Sequence, residues 1–323
     1  MKHPVVLIAD QLSPAAVDAL GEGVEIRHCD GTDRAVLLAA VRDADALLVR
    51  SGTRADAEVI AAGTRLKVIG RAGVGLDNVD VDAATRAGVL VVNTPTANIV
   101  SAAEMTCALL LAAARNLPQA GRSLKQGSWE RSRFTGTELS GKVLGIVGLG
   151  RIGALVAERL AAFGMEVISY DPYVAGGRPT ELGIEMTGLD DLLTRADFVT
   201  VHLPRTPETV GLIGAEALAK AKPTAYFVNV ARGGIIDEAA LTDALRAGRI
   251  AGAALDVFEN EPPADSPLLT LDNVVATPHL GASTHEAQEK AGTQVAESVA
   301  LALKGAPVPD AVNAPRPFAG VSS

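Results

Sequence analysis

Lys142-Val143-Leu144-Gly145-Ile146-Val147 runs directly into Gly148-Leu149-Gly150-Arg151-Ile152-Gly153. The first half reads as a buried parallel strand, and residues 151–163 carry the apolar period of a helix. Met165-Glu166-Val167-Ile168-Ser169-Tyr170-Asp171 then reads as a second strand ending in a carboxylate. A G-x-G-x-x-G turn on its own is common. Placed between a strand and a helix, with an acid 23 residues after Gly148, it predicts a dinucleotide site. Gly148 permits the tight turn, Gly150 lets backbone approach a pyrophosphate, and Gly153 lets the helix pack close to the sheet. The pyrophosphate would sit at the helix N-terminus, where free N–H groups and the helix dipole favour negative charge.

The same α/β pattern extends outward on both sides. Candidate strands at 5–9, 24–28, 46–49, 67–70 and 89–92 alternate with helical stretches at 14–20, 34–42, 56–62 and 80–87. Ser13-Pro14 and Asp33 have the composition of helix starts, and Gly21, Gly63 and Gly88 that of helix stops. A long Ala/Leu-rich helix is predicted over 101–117, opened by Ser101 as N-cap with Glu104 three residues on. A second series runs from Lys142 to about residue 280, with strands near 143–147, 166–170, 197–201, 225–229, 252–256 and 273–277. A final helix at 285–303 would carry the chain back. The expected architecture is α/β, with two Rossmann-like parallel-sheet domains. A discontinuous substrate-binding domain, 1–98 plus 285–323, would receive a dinucleotide-binding domain, 99–284, as an insertion.

Composition limits the function classes. A chain of 323 residues can form two domains with separate cores. With 3% aromatic residues, those cores must be built from Ala, Val, Leu and Ile. The net charge is −9 and no Lys/Arg run exceeds two residues, which argues against a nucleic-acid partner. Cys29 and Cys107 lack metal-knuckle or disulfide-framework spacing. No apolar run reaches the roughly 20 residues of a membrane helix, and the N-terminus lacks a signal-peptide pattern, so a cytoplasmic protein without membrane contact is expected.

The acidic strand end also bears on cofactor choice. Asp171 can accept from a ribose 2′-OH and would repel a 2′-phosphate, and no Arg follows within six residues, so NAD is expected over NADP. A flavin dinucleotide is the alternative at this level. Pro204 fixes a turn after Phe198-Val199-Thr200-Val201 that would hold its loop against the cofactor, whereas His202 is as readily structural as functional.

Three further segments place polar residues at predicted strand ends, where open α/β sheets bind ligands. Arg232 follows Val228-Asn229-Val230-Ala231 and precedes two glycines, and its planar fork suits a carboxylate. Asp256, Glu259 and Glu261 lie in Asp256-Val257-Phe258-Glu259-Asn260-Glu261-Pro262. His279 follows Thr277-Pro278 and precedes Gly281, the best setting for chemistry among the five histidines. Its imidazole can take an alcohol proton as hydride leaves and return it in the reverse direction. A carboxylate partner would orient it, and spacing leaves Glu259 and Glu261 both open. There is no GxSxG elbow for a serine hydrolase and no HExxH or clustered ligand spacing, so no metal is expected.

With the glycine turn, Asp171, Arg232, Glu261 and His279 in place, the chain resembles the D-isomer-specific 2-hydroxyacid dehydrogenases. Gly70-Arg71-Ala72-Gly73-Val74-Gly75-Leu76-Asp77-Asn78, Asn93-Thr94-Pro95, Trp129-Glu130-Arg131 and His279-Leu280-Gly281-Ala282-Ser283-Thr284 are similar to members acting on a phosphorylated three-carbon acid. The likeness covers essentially the whole chain. It implies NAD-dependent oxidation of D-3-phosphoglycerate to 3-phosphohydroxypyruvate, the entry to serine synthesis. Another small D-2-hydroxyacid (glycerate, glyoxylate, lactate) is the nearer alternative, and a dinucleotide-sensing binding protein the remote one.

The resemblance also implies residue roles. Arg232 would hold the substrate carboxylate, His279 would be the acid–base and Glu261 its partner. Arg151, Ile152, Thr206, Ala231 and Gly281 would be neighbours of the cofactor, with Asp256 on the nicotinamide carboxamide. Arg50, Ser51, Gly52 and Asn78 would surround the substrate, Arg71 would lie near its phosphate, and Arg131 would come from the second subunit of a homodimer formed through the dinucleotide domain. Members of this kind often continue into a serine-binding regulatory domain. The sequence stops at residue 323, so a short or truncated form without that domain is expected.

Overall fold

A computed structural model describes residues 3–173 and 183–313. The residues just after Tyr173, part of the six counted above, and the tail from Ala314 onward lie outside the described residues. The chain divides into two compact units, Met1–Asn98 with Ala282–Ser323, and Ile99–Gly281.

The first unit runs β1 (Val5–Ile8), α1 (Pro14–Asp18), β2 (Glu25–His28), α2 (Arg34–Ala40), β3 (Ala46–Val49), α3 (Ala57–Ala62), β4 (Val68–Arg71), α4 (Val81–Ala87) and β5 (Leu90–Val92). The five strands form one parallel sheet in the order β2-β1-β3-β4-β5. Strand periodicity explains why each inner strand is apolar throughout. Leu7, Leu47, Val49 and Ile69 face one helical layer, while Val6, Ile8, Ala46, Leu48 and Val68 face the other. Aspartates cap the helices on the first side: Asp33, Asp56 and Asp80 accept from first-turn amides of α2, α3 and α4.

The second unit begins with α5 (Ile99–Ala114) and α6 (Leu117–Lys125), followed by β6 (Val143–Val147), α7 (Arg151–Ala161), β7 (Glu166–Tyr170), β8 (Glu185–Met186) and α8 (Leu189–Arg195). It continues with β9 (Phe198–Val201), α9 (Ala215–Lys220), β10 (Tyr226–Asn229), α10 (Glu238–Arg246), β11 (Gly252–Leu255) and β12 (Val274–Ala276). The seven parallel strands are ordered β12-β11-β10-β9-β6-β7-β8. Strand order reverses between β6 and β9, where Val147 pairs with Val201. That reversal is the topological switch point at which such sheets bind ligands. The last helix, α11 (His285–Leu303), belongs to the first unit and packs on α1, β3, β4 and β5.

One element departs from the expected pattern. The predicted 101–117 helix with Ser101 as N-cap is instead α5, starting at Ile99, so Ser101 is its buried third residue and no cap. A turn closed by the Ala97 N–H on the Thr94 carbonyl feeds straight into the helix and starts it early. At the other end Asn116 adopts a left-handed conformation (φ 53°) and Pro118 follows, which breaks the run and lets α6 start in a new direction. The freed Ala114 carbonyl is taken by the Thr137 N–H at 2.8 Å. The breadth of apolar surface on α5 is absorbed within its own unit: Leu109, Leu110, Ala113 and Ala114 pack with Leu144, Ile146, Phe198 and Val228. Among the described residues no single helix is long and apolar enough to cross a membrane.

Candidate active site

The glycine turn lies at the switch point of the second unit. Gly148 has φ 102°, and a Cβ there would come 2.9 Å from the His202 carbonyl carbon. A Cβ on Gly153 would overlap the Gly148 carbonyl oxygen, so α7 is seated against the turn as closely as backbone allows. Gly150, the N-cap of α7, differs: its φ of −77° suits any residue and a Cβ would meet nothing within 4 Å. The backbone at the N-terminus of α7 is therefore open to a group approaching from outside the chain. Arg151 and Ile152 form the first turn of α7, exposed and half-buried respectively.

Asp171 follows β7, and each of its carboxylate oxygens accepts a backbone N–H at 2.8 Å, Oδ2 from Leu149 and Oδ1 from Tyr173. It therefore ties the glycine turn to the end of β7. His202, on the β9 side of the turn, has a half-buried ring whose Nε2 lies 3.1 Å from Thr200 Oγ1. Burial pushes its pKa down to about 4, so the ring is neutral near pH 7 and adds no charge beside the turn. Pro204 and Thr206 lie in one compact loop. Thr209 Oγ1 donates to the Pro204 carbonyl at 2.6 Å and accepts from Thr206 N at 2.8 Å, and Tyr173 Oη approaches Thr206 Oγ1 at 3.3 Å.

The acid–base segment is built beyond the ends of β11 and β12, at one edge of the sheet. Glu261 Oε2 accepts from His279 Nδ1 at 2.6 Å, and Glu261 Oε1 accepts from the Phe258 N–H at 3.0 Å. The alternative partner, Glu259, instead has its backbone N–H bonded to Glu238. His279 is in the left-handed region (φ 53°), a conformation costing on the order of 1 kcal/mol for a side-chain-bearing residue. Asp256 holds it there. Its fully buried carboxylate accepts from Thr277 Oγ1 (2.6 Å), Leu280 N and Gly281 N (2.7 Å each), and its carbonyl accepts from His279 N (2.9 Å). Asp256 and Gly281, expected as cofactor contacts, are thus joined to each other and fasten the His279 loop.

Arg232 is held by Asn229, whose side chain is almost completely buried at the end of β10. Asn229 Nδ2 donates to the Arg232 carbonyl at 2.8 Å, Oδ1 accepts from Ala231 N at 3.0 Å, and the Arg232 guanidinium donates to the Ala231 carbonyl at 2.7 Å. Asn229 and Asp256 are joined in turn, since the Asp256 N–H donates to the Asn229 carbonyl at 2.9 Å. The sequence pattern gives Asn229 no task of its own. Its only signal was a polar residue ending an otherwise apolar strand. Arg131 is exposed in the 3-10 turn Arg131–Phe134 of the same unit.

In the first unit Arg50, Ser51, Gly52 and Asn78 gather at that sheet's own switch point, where Thr53 Oγ1 donates to the Ala9 carbonyl at 3.3 Å. Asp10 Oδ2 accepts from Arg50 N (2.6 Å) and Thr53 N (3.2 Å), and Asn78 Nδ2 donates to the Arg50 and Thr53 carbonyls, both at 2.6 Å. Arg50, Ser51 and Gly52 are therefore one pinned loop, with Ser51 and Gly52 exposed. Asn78 supports that loop, and Asp10 is a supporting residue the sequence did not reveal. Arg71 ends β4 with its guanidinium folded over Gly73.

The second unit thus has a glycine turn at the switch point of its parallel sheet, with a carboxylate-oriented histidine and a loop-held arginine at other strand ends, which is the architecture of a dinucleotide-binding α/β domain. The family profile described as D-isomer specific 2-hydroxyacid dehydrogenase, NAD binding domain, matches residues 107–281. The chain belongs to this family, and its second unit is the NAD-binding domain, which replaces the flavin alternative. The chain is 65% identical over 313 residues to the D-3-phosphoglycerate dehydrogenase of Mycobacterium bovis, covering 97% of this chain. It spans 59% of the length of that curated relative. Among solved structures it is similar to the TT0316 protein of Thermus thermophilus, with 37% identity, TM-score 0.87, and coverage of 96% of this chain and 100% of that one. It is also similar to a glyoxylate reductase from Paecilomyes thermophila, with 32% identity, TM-score 0.86, and coverage of 97% and 99%.

Proposed function

We propose that this chain is the catalytic portion of an enzyme that oxidises D-3-phosphoglycerate to 3-phosphohydroxypyruvate with NAD, the first step of serine synthesis. The observation that carries the oxidoreductase reading is the 2.6 Å bond between His279 Nδ1 and Glu261. A carboxylate that accepts at Nδ1 leaves Nε2 as the basic nitrogen, the form needed to take a hydroxyl proton. NAD supplies the hydride acceptor. His279 takes the C2 hydroxyl proton through Nε2, and Glu261 stabilises the resulting imidazolium. Arg232 grips the carboxylate and, in the reverse direction, polarises the keto oxygen. Asp171 reads the ribose hydroxyls. Arg71 supplies the cation for the phosphate, and the 65% identity to a D-3-phosphoglycerate dehydrogenase supports that choice of substrate.

The likeness to a glyoxylate reductase favours a second reading, reduction of a small unphosphorylated 2-oxoacid. NADH oxidation with 3-phosphohydroxypyruvate, hydroxypyruvate, glyoxylate and pyruvate separates the two. A kcat/KM at least tenfold higher for the phosphorylated acid is expected, and equal or better turnover of glyoxylate overturns the phosphoglycerate reading. We further propose a homodimer formed through the second unit, with Arg131 contributed to the partner's substrate.

A further inference from the structure

The chain segment that leaves Arg232 grips the loop carrying Glu261 at two points. Directly after Arg232, Gly233 lies so close to the Phe258–Glu259 peptide that a Cβ would overlap the Phe258 carbonyl. Five residues on, Glu238 opens α10 and its Oε1 accepts the backbone N–H of Glu259. Between these points the loop folds on itself, Phe258 N donating to Glu261 Oε1 at 3.0 Å while Glu261 Oε2 meets His279. We propose that Glu238 is a positioning residue for the acid–base pair: by holding the Glu259 amide it fixes the turn that aims Glu261 at His279. The inference rests on the dehydrogenase reading above and adds a residue to it.

Three observations support the assignment. Residues 259–262 are exposed, so packing does little to hold this part of the loop and hydrogen bonds must. The anchor itself is rigid, since α10 is capped by Asp237 on Ala240 N and buries Leu241, Ala244 and Leu245. The surroundings also disfavour a residue kept for its charge. Burial raises the Glu238 pKa from its ordinary value; the Glu259 N–H bond opposes this, and the carboxylates of Glu259, Glu261 and Asp237 add to it. An acceptor role tolerates this, because a protonated carboxyl still offers its carbonyl oxygen to the amide.

The test uses the full chain, in Glu238→Ala, Glu238→Gln, Glu261→Gln and the Glu238→Ala/Glu261→Gln pair. Glu238→Gln keeps an acceptor oxygen, so its kcat is expected within about twofold of wild type. Glu238→Ala should lose about tenfold or more in kcat, because small misplacements of catalytic groups cost this much. Its KM for NADH should stay unchanged. On the Glu261→Gln background, Glu238→Ala should add no further loss, as expected for residues acting in series. A loss in Glu238→Gln equal to that in Glu238→Ala, or additive losses in the pair, overturns the proposal. The downfield proton resonance of His279 Nδ1 gives a readout without turnover: present in wild type and Glu238→Gln, exchange-broadened in Glu238→Ala. An unchanged resonance in Glu238→Ala overturns the positioning role. Absence of NADH oxidation by wild type on every 2-oxoacid overturns the dehydrogenase reading instead.

Discussion

His279 occupies a backbone conformation that a side chain resists, and four bonds from Asp256 and one from Glu261 hold it there. Strain retained at one residue by a dense local network is typical of a site whose geometry matters more than its stability. His279→Gln should therefore lower kcat by about 10²–10⁴-fold while leaving NADH affinity intact, as fluorescence titration would show. A kcat within threefold of wild type refutes the acid–base role. Cofactor choice is tested at Asp171. Asp171→Asn keeps acceptor oxygen for the Leu149 or Tyr173 amides but removes the charge facing the ribose, so NADP should gain in kcat/KM relative to NAD. An unchanged ratio means that the carboxylate serves only the turn. The phosphate is tested at Arg71, since a charge-assisted bond is worth about 1.5–3 kcal/mol. Arg71→Ala should raise KM for 3-phosphohydroxypyruvate about tenfold or more, because 1.4 kcal/mol is one decade. Hydroxypyruvate should be turned over as before. Equal losses on both acids assign Arg71 to the fold.

At the scale of elements, the turn between β6 and α7 and the loop after β9 behave as one piece, with Gly148 packed on the His202 carbonyl. His202 ties the acid stability of that piece to proton uptake. Unfolded, its imidazole takes a proton near 6.5; folded, burial delays this to about 4. The unfolded chain thus binds more protons between these values, and stability falls as pH drops through that window. His202→Gln should remove about 1–2 kcal/mol of the loss between pH 7 and pH 5, read from urea melts at the two pH values. Parallel slopes in both proteins exclude His202 as a source of acid sensitivity. Elements of this kind were largely legible in the sequence. The five first-unit strands and α11 stand within a residue or so of their predicted bounds, because glycines, prolines and capping aspartates punctuate them. The break between α5 and α6 was not legible, since Ala and Leu continue across it and only Asn116 and Pro118 mark it. The contact between Glu261 and His279 needed the resemblance to choose between two glutamates. Asp10, Asn229 and Glu238 escaped because they act on backbone groups. Asp10 reaches an amide 40 residues away and Glu238 one 21 away, and such pairings leave no local spacing to read.

For the whole molecule, the second unit exposes large apolar side chains on and just beyond α6. Leu117 and Leu124 on α6 are 58% and 56% exposed, and Trp129 just beyond the helix is 77% exposed. Positions 117, 121 and 124 fall on one helical face, and at Gly121 between the leucines a Cβ would meet nothing within 4 Å. A face with two large residues and an open gap suits close approach by another apolar surface. Covering a leucine is worth about 1.5–3 kcal/mol. The proposed homodimer would use this face, and the Arg131 turn follows it six residues after α6 ends. Sedimentation or light scattering at micromolar concentration should report about twice 33.1 kDa. Leu117→Glu with Leu124→Glu would bury two unpaired carboxylates in such an interface, which costs far more than it could return, and should give a particle of single-chain mass. If Arg131 serves the partner's substrate, that monomer should also bind 3-phosphohydroxypyruvate more weakly while its NADH affinity is unchanged. A wild-type particle of single-chain mass, or a double variant that stays dimeric, removes α6 from the interface.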